Sequence, residues 1–115
     1  MSKRILLVED EHAVREAIML LLQLDGHAVT EAQNGQEALE RFGKDRFDLV
    51  VTDFRMPGMK GNELAAAIKQ VAPSQRILMV TAHDAPVPGP DNPVDEVLHK
   101  PFTLEELRRA LDRAA

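Results

Sequence analysis

The chain contains no cysteine, no tryptophan and no tyrosine, and only four phenylalanines. Without cysteine it can form neither a disulfide nor a thiolate metal site. It has no apolar run near the ~20 residues that a membrane span requires. Met1 leads through a short polar stretch into an apolar run, which is not the build of a signal peptide. A cytoplasmic chain outside the membrane is therefore expected. Basic charge is also scarce, with 14 Lys plus Arg against 19 Asp plus Glu and a net charge of −5. Direct nucleic-acid binding needs clustered cations, so it is not expected. The four histidines, His12, His27, His83 and His99, lack metal-ligand spacing. No repeat or domain boundary interrupts the 115 residues. At 44% hydrophobic, that length can enclose one real core.

What is present is alternation. Arg4–Val8, Phe47–Thr52 and Arg76–Val80 are short, nearly continuous apolar runs, as in strands covered on both faces. His27–Glu31 alternates like a half-exposed strand, and Glu96–His99 supplies a fifth. Between them the period changes to that of helices. Val14, Ala17, Ile18, Leu21 and Leu22 form one helical stripe, stopped by Asp25-Gly26. Asn34 is placed to cap a helix carrying Ala38, Leu39 and Phe42, with Gly43 as its stop. Leu64, Ile68 and Val71 mark a third helix, ended by Pro73. Thr103-Leu-Glu-Glu is a capping box opening a last helix with Leu104, Leu107 and Leu111. The order predicts an α/β fold with a doubly wound parallel sheet.

One crossover breaks the pattern. Between the fourth and fifth strands stand Pro86, Pro88, Pro90 and Pro93, each lacking an N–H and disfavouring helix in the residue before it. A proline-rich loop over about 82–93 is expected in place of the fourth crossover helix. Twelve extended residues reach about 37 Å, ample to return along a strand about 17 Å long.

Ligands of open α/β sheets bind beyond the carboxyl ends of the strands. There the sequence places Glu9 and Asp10 after the first strand and Asp53 after the third. Thr81 follows the fourth and Lys100 the fifth. Grouped carboxylates resist joint ionisation unless a cation lies among them. Mg²⁺ takes carboxylate, phosphate and water oxygens, and a carboxylate can itself be a phosphoryl nucleophile. A lysine and a hydroxyl suit the phosphoryl oxygens that a metal leaves free.

"ILLVEDE", "VVTDFRMPGMKG", "LMVTA" and "HKPF", in this order and spacing, resemble the receiver domain of bacterial two-component response regulators. The resemblance covers nearly the whole chain and implies a flavodoxin-like fold of strand order 2-1-3-4-5, a single receiver domain over residues 1–115. It implies Asp53 as phosphoacceptor, with a histidine kinase or histidine phosphotransfer protein as partner. Glu9, Asp10, Asp53 and the backbone carbonyl of Arg55 would bind Mg²⁺. Thr81 would be the switch hydroxyl and Lys100 the phosphate-binding lysine, followed by a cis peptide before Pro101. The only catalysis implied is of the domain's own phosphorylation and dephosphorylation. Arg55 and His83 flank the site, and Arg55 is a candidate to pair with the phosphate or with Glu9. The sequence departs from the family at Val97, where an aromatic is usual, so the output face should be atypical. Two alternatives stay open: a phosphorylation-independent binding module of the same fold, and an Asp-nucleophile phosphohydrolase. Against the latter, haloacid-dehalogenase-like enzymes usually carry a second Asp where this chain has Arg55.

Overall fold

The computed structural model describes residues 2–82 and 93–115. Five strands, β1 (Arg4–Val8), β2 (Ala28–Ala32), β3 (Leu49–Asp53), β4 (Ile77–Ala82) and β5 (Glu96–Lys100), form one sheet. Its order is β2-β1-β3-β4-β5 and every pairing is parallel. Four helices are described: α1 (His12–Leu24), α2 (Gly35–Lys44), α3 (Gly61–Val71) and α4 (Leu104–Ala114). This is the doubly wound parallel architecture that the alternation predicts, in the flavodoxin-like strand order that the resemblance implies. Of the expected proline crossover over about 82–93, residues 83–92 lie outside the described residues; Ala82 is the last residue of β4 and Pro93 has no regular secondary structure.

The apolar runs of β1, β3 and β4 are continuous because these strands have a core on both faces. Ile5, Leu7, Leu49, Val51, Leu78, Val80 and Leu98 pack against α1 and α4. Leu6, Val8, Val50 and Ile77 point the other way, onto Ala38 of α2 and Leu64, Ala65 and Ile68 of α3. Strand alternation thus divides one run between two cores. Phe47 stacks on Phe42, with ring centroids 6.4 Å apart, and closes the second core below α2.

Local signals set most of the helix ends. Asn34 accepts the Glu37 N–H at 2.7 Å and begins α2. Thr103 and Glu106 form the reciprocal capping box of α4, at 3.1 and 2.9 Å. Gly26 takes φ +84°, which ends α1 as predicted. Three details differ. Gly43 does not stop α2, which runs on to Lys44 and is capped by Asp45. Val71 lies at the very end of α3 and is 74% exposed, while Ala65 completes the buried face. Ala17 is exposed, in line with Ala13, Leu20 and Leu24 on the outer side of α1.

Since a β-carbon at Gly43 would meet nothing within 4 Å, Gly43→Ala should stabilise the chain. Removing a flexible residue from a helix is worth about 0.5–1 kcal/mol. Urea unfolding would read this as a higher midpoint at unchanged slope.

Asp95 fixes the start of β5. Its carboxylate accepts the Ile77 N–H at 2.8 Å and pairs with Lys69 of α3 at 3.0 Å and with Arg76 at 3.1 Å. Its own N–H donates to the Ile77 carbonyl at 2.9 Å.

Candidate functional site

Parallel strands bring their carboxyl ends to one edge, so residues far apart in sequence meet there. Glu9 follows β1, Asp53 ends β3, Thr81 is the penultimate residue of β4, and Lys100 ends β5. One carboxylate oxygen from each of Glu9, Asp10 and Asp53 lies within 4.8 Å of the others. Glu9 is buried, with only 2% exposure, while Asp10 is exposed. The Lys100 ammonium, 91 positions from Glu9, is 3.1 Å from Glu9 Oε1 and 3.7 Å from Asp53 Oδ1.

Two of the three carboxylates accept a backbone N–H. Glu9 Oε2 accepts the Glu11 N–H at 3.3 Å. Asp53 Oδ1 accepts the Phe54 N–H at 2.9 Å, and the Thr52 hydroxyl donates to the Asp53 carbonyl at 3.0 Å. Arg15, one turn into α1, donates to the Glu9 carbonyl at 2.7 Å while pairing with Glu31 of β2 at 3.1 Å. That role was invisible in the sequence, where Arg15 reads as a solvated helix residue.

The charges are crowded. Burial, and then the Asp53 charge, push the Glu9 carboxyl from 4.5 up to about 7, although the Lys100 ammonium opposes them. Burial also raises Asp53, against the pull of Lys100 and the Phe54 N–H. One ammonium balances one of three carboxylates. The donor set is all hard oxygen with an uncompensated negative charge, and this suits a divalent cation such as Mg²⁺.

The remaining expected residues divide. The Thr81 hydroxyl is buried and has no hydrogen-bond partner among the described residues, an expensive state for a polar group. Arg55 is exposed and makes no ion pair among the described residues. The cation on Glu9 is Lys100, not Arg55. Beside Asp53 an open depression of about 450 Å³ is lined by Phe54, Arg55, Met56, Pro57 and Lys60. The Lys100–Pro101 peptide is cis. His83 lies outside the described residues.

Residues 5–112 match the family model of the response regulator receiver domain. The chain belongs to this family. Response regulator MprA of Mycolicibacterium vanbaalenii is 42% identical over 110 residues, covering 93% of this chain and 48% of that protein. MprA of Mycobacterium ulcerans is 42% identical over the same length, with 47% of it covered. The chain thus spans about half the length of the curated relatives it matches. Among solved structures, Thermotoga maritima TrrA in complex with Mg²⁺-BeF superposes with a TM-score of 0.90. It is 34% identical, over 98% of this chain and 99% of that one. TrrA in complex with the histidine kinase ThkA gives a TM-score of 0.87 at 34% identity, over 97% of each chain. Receiver domains are modules of two-component signalling rather than enzymes in the ordinary sense. No helix among the described residues of this receiver is long and apolar enough to cross a membrane.

Proposed function

We propose that the chain is a single cytoplasmic receiver domain over residues 1–115 that accepts a phosphoryl group on Asp53. The donor is the phosphohistidine of a histidine kinase or histidine phosphotransfer protein, and neither nucleic acid nor membrane is a direct partner. The observation that carries this reading is the meeting of Glu9, Asp10 and Asp53 within 4.8 Å at one sheet edge, with Lys100 on two of them.

An Asp53 carboxylate oxygen attacks the phosphorus, the new O–P bond forms as the N–P bond breaks, and the imidazole leaves with the electron pair. Such transfers need positioning and charge neutralisation more than covalent help. The Phe54 N–H orients the acceptor carboxylate, and the Thr52 hydroxyl holds the Asp53 backbone carbonyl. Glu9, Asp10, Asp53 and the Arg55 backbone carbonyl would hold Mg²⁺, which when bound offsets the negative charge of acceptor and phosphoryl oxygens. Lys100 leaves Glu9 for a phosphoryl oxygen. Thr81, whose hydroxyl lacks a partner, gains one in the phosphoryl group, and this biases the domain toward a second conformation. The partly buried Val97 is paired in register with Met79 and offers no ring to turn, so the output face must respond by another route. The TrrA complexes with Mg²⁺-BeF and with ThkA support the metal and the kinase.

Incubation with acetyl phosphate and Mg²⁺, followed by intact-mass measurement, is expected to give one phosphoryl adduct, and none when EDTA is present from the start. No adduct with Mg²⁺ would leave the phosphorylation-independent binding module as the better reading.

A further inference from the structure

Gly61 is the first residue of α3, and nothing in its own chemistry marks it as part of the site. It is fully enclosed against backbone. A β-carbon there would press on the Asp53 carbonyl oxygen, and would lie 3.0 Å from both the Asp53 carbonyl carbon and the Phe54 Cα. Peptide atoms cannot rotate aside as a side-chain tip can. The Gly61 N–H also donates to the Phe54 carbonyl at 2.9 Å, closing the loop that begins at Asp53 and carries Arg55. Gly58, with φ +79°, makes the reversal within that loop.

We infer that Gly61 is a positioning residue: the lack of a side chain lets α3 close directly on the Asp53–Phe54 peptide, and this closure aims both the Asp53 carboxylate and the Arg55 carbonyl. The inference rests on the phosphoacceptor reading of Asp53. Adding one methyl group must move the start of α3 away from the strand end, or move the strand end itself. The Phe54 N–H that orients the acceptor belongs to the peptide that would shift. Gly35, the first residue of α2, is a contrast, since its near neighbours all belong to the Met59 side chain.

The test is Gly61→Ala, made alone and in the Gly43→Ala background to offset lost stability. Three quantities are measured: the amide resonances of Phe54 and Arg55, the half-saturating concentration of Mg²⁺ alone, and the phosphorylation rate with acetyl phosphate. In a chain folded by circular dichroism, both amides should shift and Mg²⁺ should bind at least about tenfold more weakly. The maximal rate should fall by about tenfold or more, as for misplacement of reacting groups by a fraction of an ångström. Gly43→Ala alone should match the wild type in all three. Unchanged amides or unchanged Mg²⁺ binding in folded Gly61→Ala overturns the inference. So does failure to fold even in the Gly43→Ala background, which would make Gly61 structural only. If the wild type takes neither Mg²⁺ nor phosphoryl, the functional reading fails, and the amide shifts alone then decide the placement claim.

Discussion

Asp53→Asn should abolish the phosphoryl adduct and, at the same time, make the metal-free protein more stable. The first effect follows from the nucleophile. An amide oxygen cannot displace the imidazole, although it could still accept the Phe54 N–H and would keep the shape of the site. The second follows from the crowding. The Asp53 charge is the largest cause, after burial, of the raised Glu9 carboxyl. Removing it lets Glu9 ionise more readily against Lys100, 3.1 Å away. A gain of about 1 kcal/mol near pH 8 is expected, comparable to relieving one close pair of like charges in a partly solvated site. Intact-mass spectrometry and urea unfolding of the same sample read both effects. An adduct that survives the substitution would mean another acceptor. A loss of stability near pH 8 would mean that the Lys100 contact with Asp53 outweighs the repulsion.

The pH dependence of stability should carry the same signature. With no divalent cation, folded Glu9 holds its proton up to about pH 7, whereas the unfolded carboxyl releases it near 4.5. Between those values the folded state binds more protons, so this contribution to stability falls as pH rises and then stays flat above about 7. Asp53 is raised as well and adds a loss of the same sign. At 1.36 kcal/mol per unit the Glu9 contribution is about 3 kcal/mol. Mg²⁺ should reverse the loss, because it favours the ionised carboxylates. At a hundred times its dissociation constant a bound ligand adds about 2.7 kcal/mol, some 10 °C in midpoint for a domain of this size. The benefit should shrink below about pH 6, where protons compete for the same oxygens. Melting curves from pH 5 to 8, with and without Mg²⁺, measure this. A midpoint that ignores Mg²⁺ at pH 8 would count against a cation site among Glu9, Asp10 and Asp53.

β1, β3 and β4 could be read from the sequence because both their faces are buried, so the apolar run is unbroken and its end is abrupt. That abruptness also made the site legible: Glu9, Asp10, Asp53 and Lys100 stand where apolar runs stop. What escaped detection depends on three-dimensional neighbours. Val71 repeats the helical period but lies past the covered part of α3, and Ala65 packs there without a conspicuous side chain. Gly43 has the composition of a stop, yet nothing nearby requires one, and α2 continues. Arg15 and Gly61 act on the backbone of the carboxylates, and spacing alone gives no sign of such contacts. Arg55 was the nearer cation in sequence, but β5 delivers Lys100 to Glu9 instead.

The anchoring of Asp95 has a consequence for protein engineering. Its carboxylate and N–H tie the start of β5 to Ile77, at the opposite end of β4 from Thr81. The start of β5 is therefore fixed at Asp95, the last residue of the connection and downstream of Pro93. Loop grafts of different length between Ala82 and Pro93 should leave Lys100 in place, since doubling a connection costs only about 0.6 kcal/mol in closure entropy. That junction is accordingly a natural place to splice in a foreign recognition peptide and make it report on the state of Asp53.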